Sequence, residues 1–342
     1  MRVAVIHTAF LGDVILLTPL LDALHERLGA SDVALLTTAL AAPLFRDDPR
    51  VSLLLPYDKR GADKGLAGIW RLGMRLRDFR PDLLISAHRS LRSALLARLS
   101  GAPRRIGYRS ATGRWLYTET VTDDRSLHEC RRILALLGMD HDALPTLHDD
   151  RAERTRVRQL LRERGLRWPV ALAPGSVWAT KQWPPHHFRS LARSLVERGV
   201  PVVLLGGPGE RELCAGIAAE LPDCHSLAGE LGLRESFQLL RRCCAAVVND
   251  SAPLHLSQAA GVPTFALFGS TVTAFGFGPR GPRDRVLELP LDCRPCGRHG
   301  HRRCPLGTLA CLETLAPQLV LEALAPELTL RNARLLDLDQ EE

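Results

Sequence analysis

Asp13 follows Gly12 where an apolar run, Arg2 to Thr8, gives way to a helical pattern, and a carboxylate at such a turn can accept a proton from a substrate hydroxyl. Asp is equally a favoured helix-capping residue, so local sequence leaves both roles open. A second turn, Ala173-Pro174-Gly175-Ser176, runs on to Lys181-Gln182-Trp183-Pro184. Lys181 carries a compact charge able to reach a diphosphate, and Ser176 and Thr180 add hydroxyl donors. Lysine is a marked choice in this chain: it occurs only at Lys59, Lys64 and Lys181, and the rest of the 45 basic residues are Arg. In Leu205-Gly206-Gly207-Pro208-Gly209-Glu210 the glycines permit close backbone approach to a ligand, and Glu210 could bind ribose hydroxyls or simply start a helix. In Asn249-Asp250-Ser251-Ala252-Pro253-Leu254-His255 a β-branched strand meets capping residues and a first-turn proline, which aims backbone N–H groups at a site suited to phosphate. Capping explains Ser251 and Pro253 without a ligand; His255 reads as a packing residue or as part of the same site.

Nine cysteines fall into two groups. Cys130, Cys214, Cys224, Cys243 and Cys244 are scattered among apolar neighbours and read as small core residues. Cys293, Cys296, Cys304 and Cys311 have the spacing C-x2-C-x7-C-x6-C, with His299 and His301 among them. Reduced core thiols or a structural Zn²⁺ held by four thiolates both fit that spacing.

These turns need strands and helices to hold them. Expected strands are Arg2–Thr8, Val33–Thr38, Val51–Tyr57, Leu83–Ala87 and Arg105–Tyr108 in the first half, and Val170–Ala173, Val202–Leu205, Ala246–Asn249 and Thr264–Phe268 in the second. Helical patterns alternate with them, including Val14–Leu28, Ile69–Phe79 and Leu91–Leu99, then Pro185–Arg198, Glu210–Leu221, Ser236–Cys243 and Pro253–Ala260. Two final helices, Leu312–Leu324 and Glu327–Leu336, complete the pattern. Alternation of this kind means parallel sheets covered on both faces, here two doubly wound units, with ligands beyond the carboxyl ends of the strands. The boundary is expected at the charged helix 151–165, giving domains 1–163 and 164–342, the second including the Cys-rich loop 293–311.

The 342 residues suffice for two cores. With 46% hydrophobic and 24% charged residues the chain is an ordinary folded protein rather than a disordered one. No apolar run approaches the ~20 residues of a spanning helix, and Asp13 interrupts any signal-peptide core, which places the protein in the cytoplasm. The basic excess lies in residues 1–168, with 28 Lys and Arg against 20 Asp and Glu, while the remainder holds 17 against 18. That asymmetry suits an anionic partner or an Arg-rich solvated surface. Neither G-x-G-x-x-G nor G-x-x-x-x-G-K-[ST] occurs, so the usual dehydrogenase and P-loop fingerprints are absent. A nucleic-acid binder is disfavoured for want of a reading helix or aromatic stacking motif.

In order and rough spacing, Gly12-Asp13-Val14-Ile15-Leu16-Leu17-Thr18-Pro19, the Pro174-to-Pro184 segment, Gly206-Gly207-Pro208-Gly209-Glu210 and Asn249-to-His255 resemble the ADP-heptose:lipopolysaccharide heptosyltransferases of glycosyltransferase family nine, over most of the chain. The Cys-rich loop is similar to one in the second-heptose branch. The resemblance implies an α/β GT-B architecture, two Rossmann-like doubly wound domains facing a central cleft, with acceptor on the first and ADP-heptose on the second. It implies inversion at the anomeric carbon with no cofactor required for catalysis. Asp13 would be the base, and Lys181 with Ser176 would neutralise the departing diphosphate. Thr180, Asp250, Ser251, Ala252 and His255 would line the phosphate and sugar end, and Glu210 the nucleoside. Ala9 and Ala252 depart from the family pattern; Ala252 keeps its N–H, whereas acceptor contacts at Ala9 do not transfer. The acceptor would be an anionic glycolipid, met at the inner face of the cytoplasmic membrane, with Lys59, Arg60, Lys64, Arg105, Arg109 and Arg114 as candidate contacts. The rival reading is a non-catalytic nucleotide-sugar-binding protein of the same fold.

Overall fold

Val3, Ala4, Val5 and Ile6 lose all solvent exposure in strand β1 (Arg2–His7), as a strand covered on both faces must. The structure, a computed structural model, describes the backbone of residues 1–340 and the side chains of residues 1–335. It divides into two units, residues 1–148 and the chain from Asp149 onward.

In the first unit β1 is joined by β2 (Asp32–Thr38), β3 (Leu53–Tyr57), β4 (Leu83–Ser86), β5 (Arg104–Tyr108) and β6 (Glu119–Val121). The order is β3-β2-β1-β4-β5-β6 and every pair is parallel, with Val5 opposite Leu35 on one side and Ile85 on the other. The second unit contains β7 (Val170–Ala173), β8 (Val202–Leu204), β9 (Cys224–Ser226), β10 (Ala245–Asn249), β11 (Thr264–Leu267) and β12 (Arg285–Leu287). Their order, β12-β11-β10-β7-β8-β9, is the same doubly wound topology, again wholly parallel. In each sheet the winding reverses between two central strands, β1/β4 and β7/β10, and the turns after those strands are where such a fold leaves a crevice.

Four features differ from expectation. Strands β6, β9 and β12 have three residues each, as in Cys224-His225-Ser226, too short for an apolar run to announce them. The first helix breaks into Leu11–Ile15 and Thr18–Glu26, where the Thr18 hydroxyl donates to the Ile15 carbonyl at 2.8 Å and Pro19 opens the second piece. The last helix runs unbroken from Pro317 to Gln340 through Pro326. Tertiary anchors on both sides of the proline hold it: Leu324 and Leu328 in the core, Glu327 paired with Arg283 at 2.9 Å, and Arg331 donating to the Trp168 carbonyl at 3.0 Å.

The fourth difference is the boundary, which falls at 148/149 rather than 163/164. Helix Arg151–Glu163 belongs to the second unit because it packs on helix Leu233–Leu240, burying Val157 and Leu161 and pairing Glu153 with Arg234 at 2.8 Å and Arg156 with Glu235 at 2.6 Å. Among the described residues no helix is long and apolar enough to cross a membrane.

Candidate functional site

In the second unit β7 and β10 end side by side, Ala173 opposite Val248. The buried Asn249 amide spans the loops beyond them: its Nδ2 donates to the Pro174 carbonyl at 2.8 Å, and its Oδ1 accepts the Trp183 backbone N–H at 3.0 Å. Trp183 is fully buried, so segment 174–183 is pinned at both ends. This brings Lys181 onto Asp250, with Nζ 2.6 Å from Oδ2. The Thr271 hydroxyl donates to the same oxygen at 2.6 Å. The ammonium is thus aimed rather than free, 13% exposed at the mouth of helix Ala252–Ala260. That helix begins at Ser251 in extended conformation with Pro253 in its first turn, and its leading N–H groups have no intrahelical acceptors. A cation and a helix N-terminus that share one turn form a receptor for phosphate oxygens.

The remaining residues singled out by sequence sit nearby in different roles. The Ser251 hydroxyl donates to the Gly175 carbonyl at 3.4 Å, and Ser176 Oγ accepts the Trp178 N–H at 3.3 Å. His255 is buried with Nδ1 3.4 Å from Gln258 Oε1; burial pushes its pKa down to about 4, so it is neutral at pH 7. Glu210 Oε2 accepts the Gly207 N–H at 2.7 Å, and the carboxylate fills the space where a Cβ on Gly175 would stand. A side chain at position 175 would displace the Glu210 carboxylate from this place. Thr180 is not presented to a ligand as expected: it is 2% exposed, donating to Ser270 Oγ at 3.1 Å and accepting the His301 N–H at 2.7 Å.

Thr180 instead fastens the Cys-rich loop against the site. Arg294, within that loop, donates to the carbonyls of Gly269, Leu289 and Thr271 and to the Glu288 carboxylate. Gly300, at φ +82°, lies against Lys181: a Cβ there would be 3.2 Å from Lys181 Cγ and 3.0 Å from Trp178 Cβ. Gly300→Ala is expected to cost roughly 1–2 kcal/mol from the left-handed backbone alone. A thermal melt identical to wild type would show that the loop yields freely. Thr271, Ser270, Arg294 and Gly300 escaped the sequence reading: Ser270 and Thr271 follow β11 with no motif of their own, and Arg294 and Gly300 stand between the cysteines and histidines that marked the loop.

The four loop cysteines lie near enough for their charges to act on one another, Cys296 with Cys293 and Cys304, and Cys311 with all three. All are free thiols in different surroundings: Cys293 exposed, Cys311 buried in the core, and Cys304 with its sulfur against the N–H groups of residues 306–309, which draws its pKa down. The loop's path is set by Arg294, by the bond from the Cys296 N–H to the Ser270 carbonyl, and by His301, whose Nε2 meets the Cys296 carbonyl at 3.0 Å. Among the described residues, the one set of three or more His, Cys, Asp or Glu ligand atoms lying within 4.8 Å of one another is His186, His187 and Glu313.

In the first unit Asp13 sits on the third residue of helix Leu11–Ile15, where its Oδ2 accepts the Phe10 N–H at 3.1 Å. The capping role is real, and the half-buried carboxylate also lies close enough to Arg89 for each to feel the other's charge. Arg89 grips Asp123 through two bonds of 2.7 Å and stacks on Tyr108. Lys59 donates to the Thr8 carbonyl at 3.2 Å, and His88 Nδ1 lies among the hydroxyls of Thr8, Ser90 and Ser93 at 2.9–3.1 Å. His88 and Arg89 were missed, although they follow an apolar strand by the same rule that found Asp250. Of the expected basic contacts, Lys59 is at this edge; Arg60, Lys64, Arg109 and Arg114 are exposed; Arg105 is spent on the carbonyls of Leu116 and Ala102.

Three buried imidazoles set an acid limit. Burial, with His88 adding to it, pushes His7 down to about 3; burial with the charges of Lys59 and Arg89 pushes His88 to about 4, matching His255. Below the unfolded value near 6.5 the unfolded chain takes up protons that the folded one refuses. Stability is therefore complete above that pH and falls as pH drops toward 4, by about 2 kcal/mol per histidine at pH 5. Urea midpoints at pH 7 and 5 check this; equal midpoints contradict it.

A family model described as "Glycosyltransferase family 9 (heptosyltransferase)" matches residues 69–306. Lipopolysaccharide heptosyltransferase 2 of Escherichia coli K12 is 27% identical over 345 residues, covering 95% of this chain and 97% of that protein. The solved E. coli ADP-heptose lps heptosyltransferase II superposes with a TM-score of 0.80 at 26% identity, over 97% of this chain and all of that one. A glycosyl transferase family 9 structure from Veillonella parvula gives 0.83 at 23% identity, over 96% and 97%, and shares the fold. The doubly wound units are those of a GT-B glycosyltransferase, and the chain belongs to glycosyltransferase family 9, the heptosyltransferases.

Proposed function

We propose that this glycosyltransferase moves heptose from ADP-heptose to a hydroxyl of a lipopolysaccharide core sugar, with inversion at the anomeric carbon. The observation that carries the reading is the Lys181–Asp250–Thr271 chain at the start of helix Ala252–Ala260, which sets a fixed cation beside a helix N-terminus. As the glycosidic bond to the donor breaks, negative charge collects on the diphosphate. Lys181 and the N–H groups of the helix start stabilise it there, which requires no reorganisation at the moment of reaction. Ser176, Ser251 and Ala252 border the same phosphate end, His255 stands neutral one turn further in, and Glu210 meets the nucleoside with the carboxylate oxygen not used for capping.

In the first unit Asp13 takes the proton of the attacking hydroxyl. Lys59 and Arg89 supply positive charge near it for an acidic acceptor, and the exposed Arg60, Lys64, Arg109 and Arg114 suit the anionic surface in which a glycolipid is held. The relatives named for lipopolysaccharide heptose transfer, and the solved protein named for ADP-heptose, support this choice of donor and acceptor.

The test is mass spectrometry of a lipopolysaccharide core acceptor after incubation with ADP-heptose or with UDP-sugars. One added heptose per acceptor from the adenine donor alone is expected. Transfer from a UDP-sugar in its place overturns the donor assignment.

A further inference from the structure

We propose that His186, His187 and Glu313 form a zinc-binding site where helix Pro185–Val196 begins. The ligand atoms of these three residues lie within 4.8 Å of one another. Two imidazoles and a carboxylate are ligands that Zn²⁺ takes, and a tetrahedral shell with bonds near 2.0–2.1 Å sets ligand atoms about 3.3 Å apart, a contraction that rotamer shifts of two surface side chains supply.

Three observations distinguish this set from a chance surface cluster. His187 is oriented before any metal arrives: its ring stacks on the buried Trp183, with centroids 5.2 Å apart, and its Nε2 lies 2.9 Å from the Glu313 carbonyl. A carbonyl can only accept, so Nε2 carries the proton and Nδ1 keeps its lone pair. That outer-shell bond fixes the tautomer of a metal-binding histidine. The backbone that carries Glu313 is held as well, because the Trp183 indole N–H donates to the Leu315 carbonyl at 2.9 Å. Finally, the His186 ring stands beside that of His187, with centroids 4.3 Å apart, so both imidazoles are already together on this side of Glu313. Helix Pro185–Val196 presents its positive end here, and the Glu313 carboxylate offsets it.

A bound ion would tie the first turn of helix Pro185–Val196 to helix Ala310–Glu313, the exit of the Cys-rich loop. Zinc would then stiffen the loop whose Gly300 and His301 hold Lys181 and Thr180 in place. The site stands on this geometry alone and does not depend on which sugar is transferred.

The experiment is calorimetric titration of Zn²⁺ into the metal-stripped full-length protein, paired with Co²⁺ as a spectroscopic probe. His186 and Glu313 are at the surface, so His186→Ala and Glu313→Gln are the variants, each with its metal-free melting curve matched to wild type. One equivalent of zinc is expected to bind, at least roughly tenfold more weakly in either variant. The cobalt adduct is expected to show the visible bands of tetrahedral Co²⁺ without a sulfur-to-metal charge-transfer band. Equal zinc affinity in both variants, no binding at all, or an intense sulfur-to-metal band abolished by Cys293→Ser with Cys304→Ser would overturn the proposal, the last by moving the ion to the cysteines.

Discussion

Asp13→Asn is expected to lower turnover by roughly 10²–10⁴-fold, the range for loss of a general base, and to leave ADP affinity unchanged. Asparagine is the informative replacement because Asp13 has two jobs. Its Oδ2 accepts the Phe10 N–H and so closes the first turn of helix Leu11–Ile15. An amide oxygen can do the same, so the turn keeps its cap while the site loses a group that can take a proton. Alanine would remove both and confuse a folding defect with a chemical one. Arg89 adds a second constraint: it sits near Asp13 but is anchored on Asp123, so removing the carboxylate's charge does not leave the arginine without a partner. Turnover near wild type in Asp13→Asn would reduce Asp13 to a capping residue.

The second large effect is at Lys181. Lys181→Ala should cut turnover by about 10²–10³-fold, the usual cost of deleting a preorganised group that stabilises transition-state charge. It should also weaken ADP at least roughly tenfold, since a hydrogen bond to a charged group contributes about 1.5–3 kcal/mol. Part of any loss comes from Asp250, which is 7% exposed and would keep only Thr271 as a side-chain partner. Asp250→Asn separates the two contributions. It preserves the ammonium and removes its anchor, so turnover should fall less than in Lys181→Ala. An Asp250→Asn defect equal to that of Lys181→Ala would mean that the pair acts structurally and that the lysine does not meet the diphosphate.

Much of the fold could be read from the chain because its central strands are apolar throughout and end at turn residues. Val3–Ile6 and Ala245–Val248 are both buried in full or nearly so, and each delivers its chemistry at the next few positions. Edge strands such as Cys224–Ser226 could not be read, since a strand covered by little core needs no apolar signature. Pro326 marked a helix end that does not exist, because Glu327 and Arg331 supply long-range anchors invisible to local propensity. At the site, the turn after β10 identified Asp250 but not its partner Thr271, which arrives from the loop after β11. Thr180 had the residue type and location of a ligand contact, yet its hydroxyl is used up on Ser270 and His301. The cysteine spacing C-x2-C-x7-C-x6-C pointed to a cluster, and the fold brings the four thiols within electrostatic reach of one another, but the anchors that set the loop's path, Arg294 and Thr180, could not be read from it.

The proposed chemistry divides its labour between the two units, base on the first and leaving-group stabilisation on the second. Calorimetric titration of ADP into wild type, Asp13→Asn and Lys181→Ala tests that division in one experiment. The expected result is an affinity in Asp13→Asn equal to wild type and one at least roughly tenfold weaker in Lys181→Ala. Weakened ADP binding in Asp13→Asn together with undiminished binding in Lys181→Ala would contradict it.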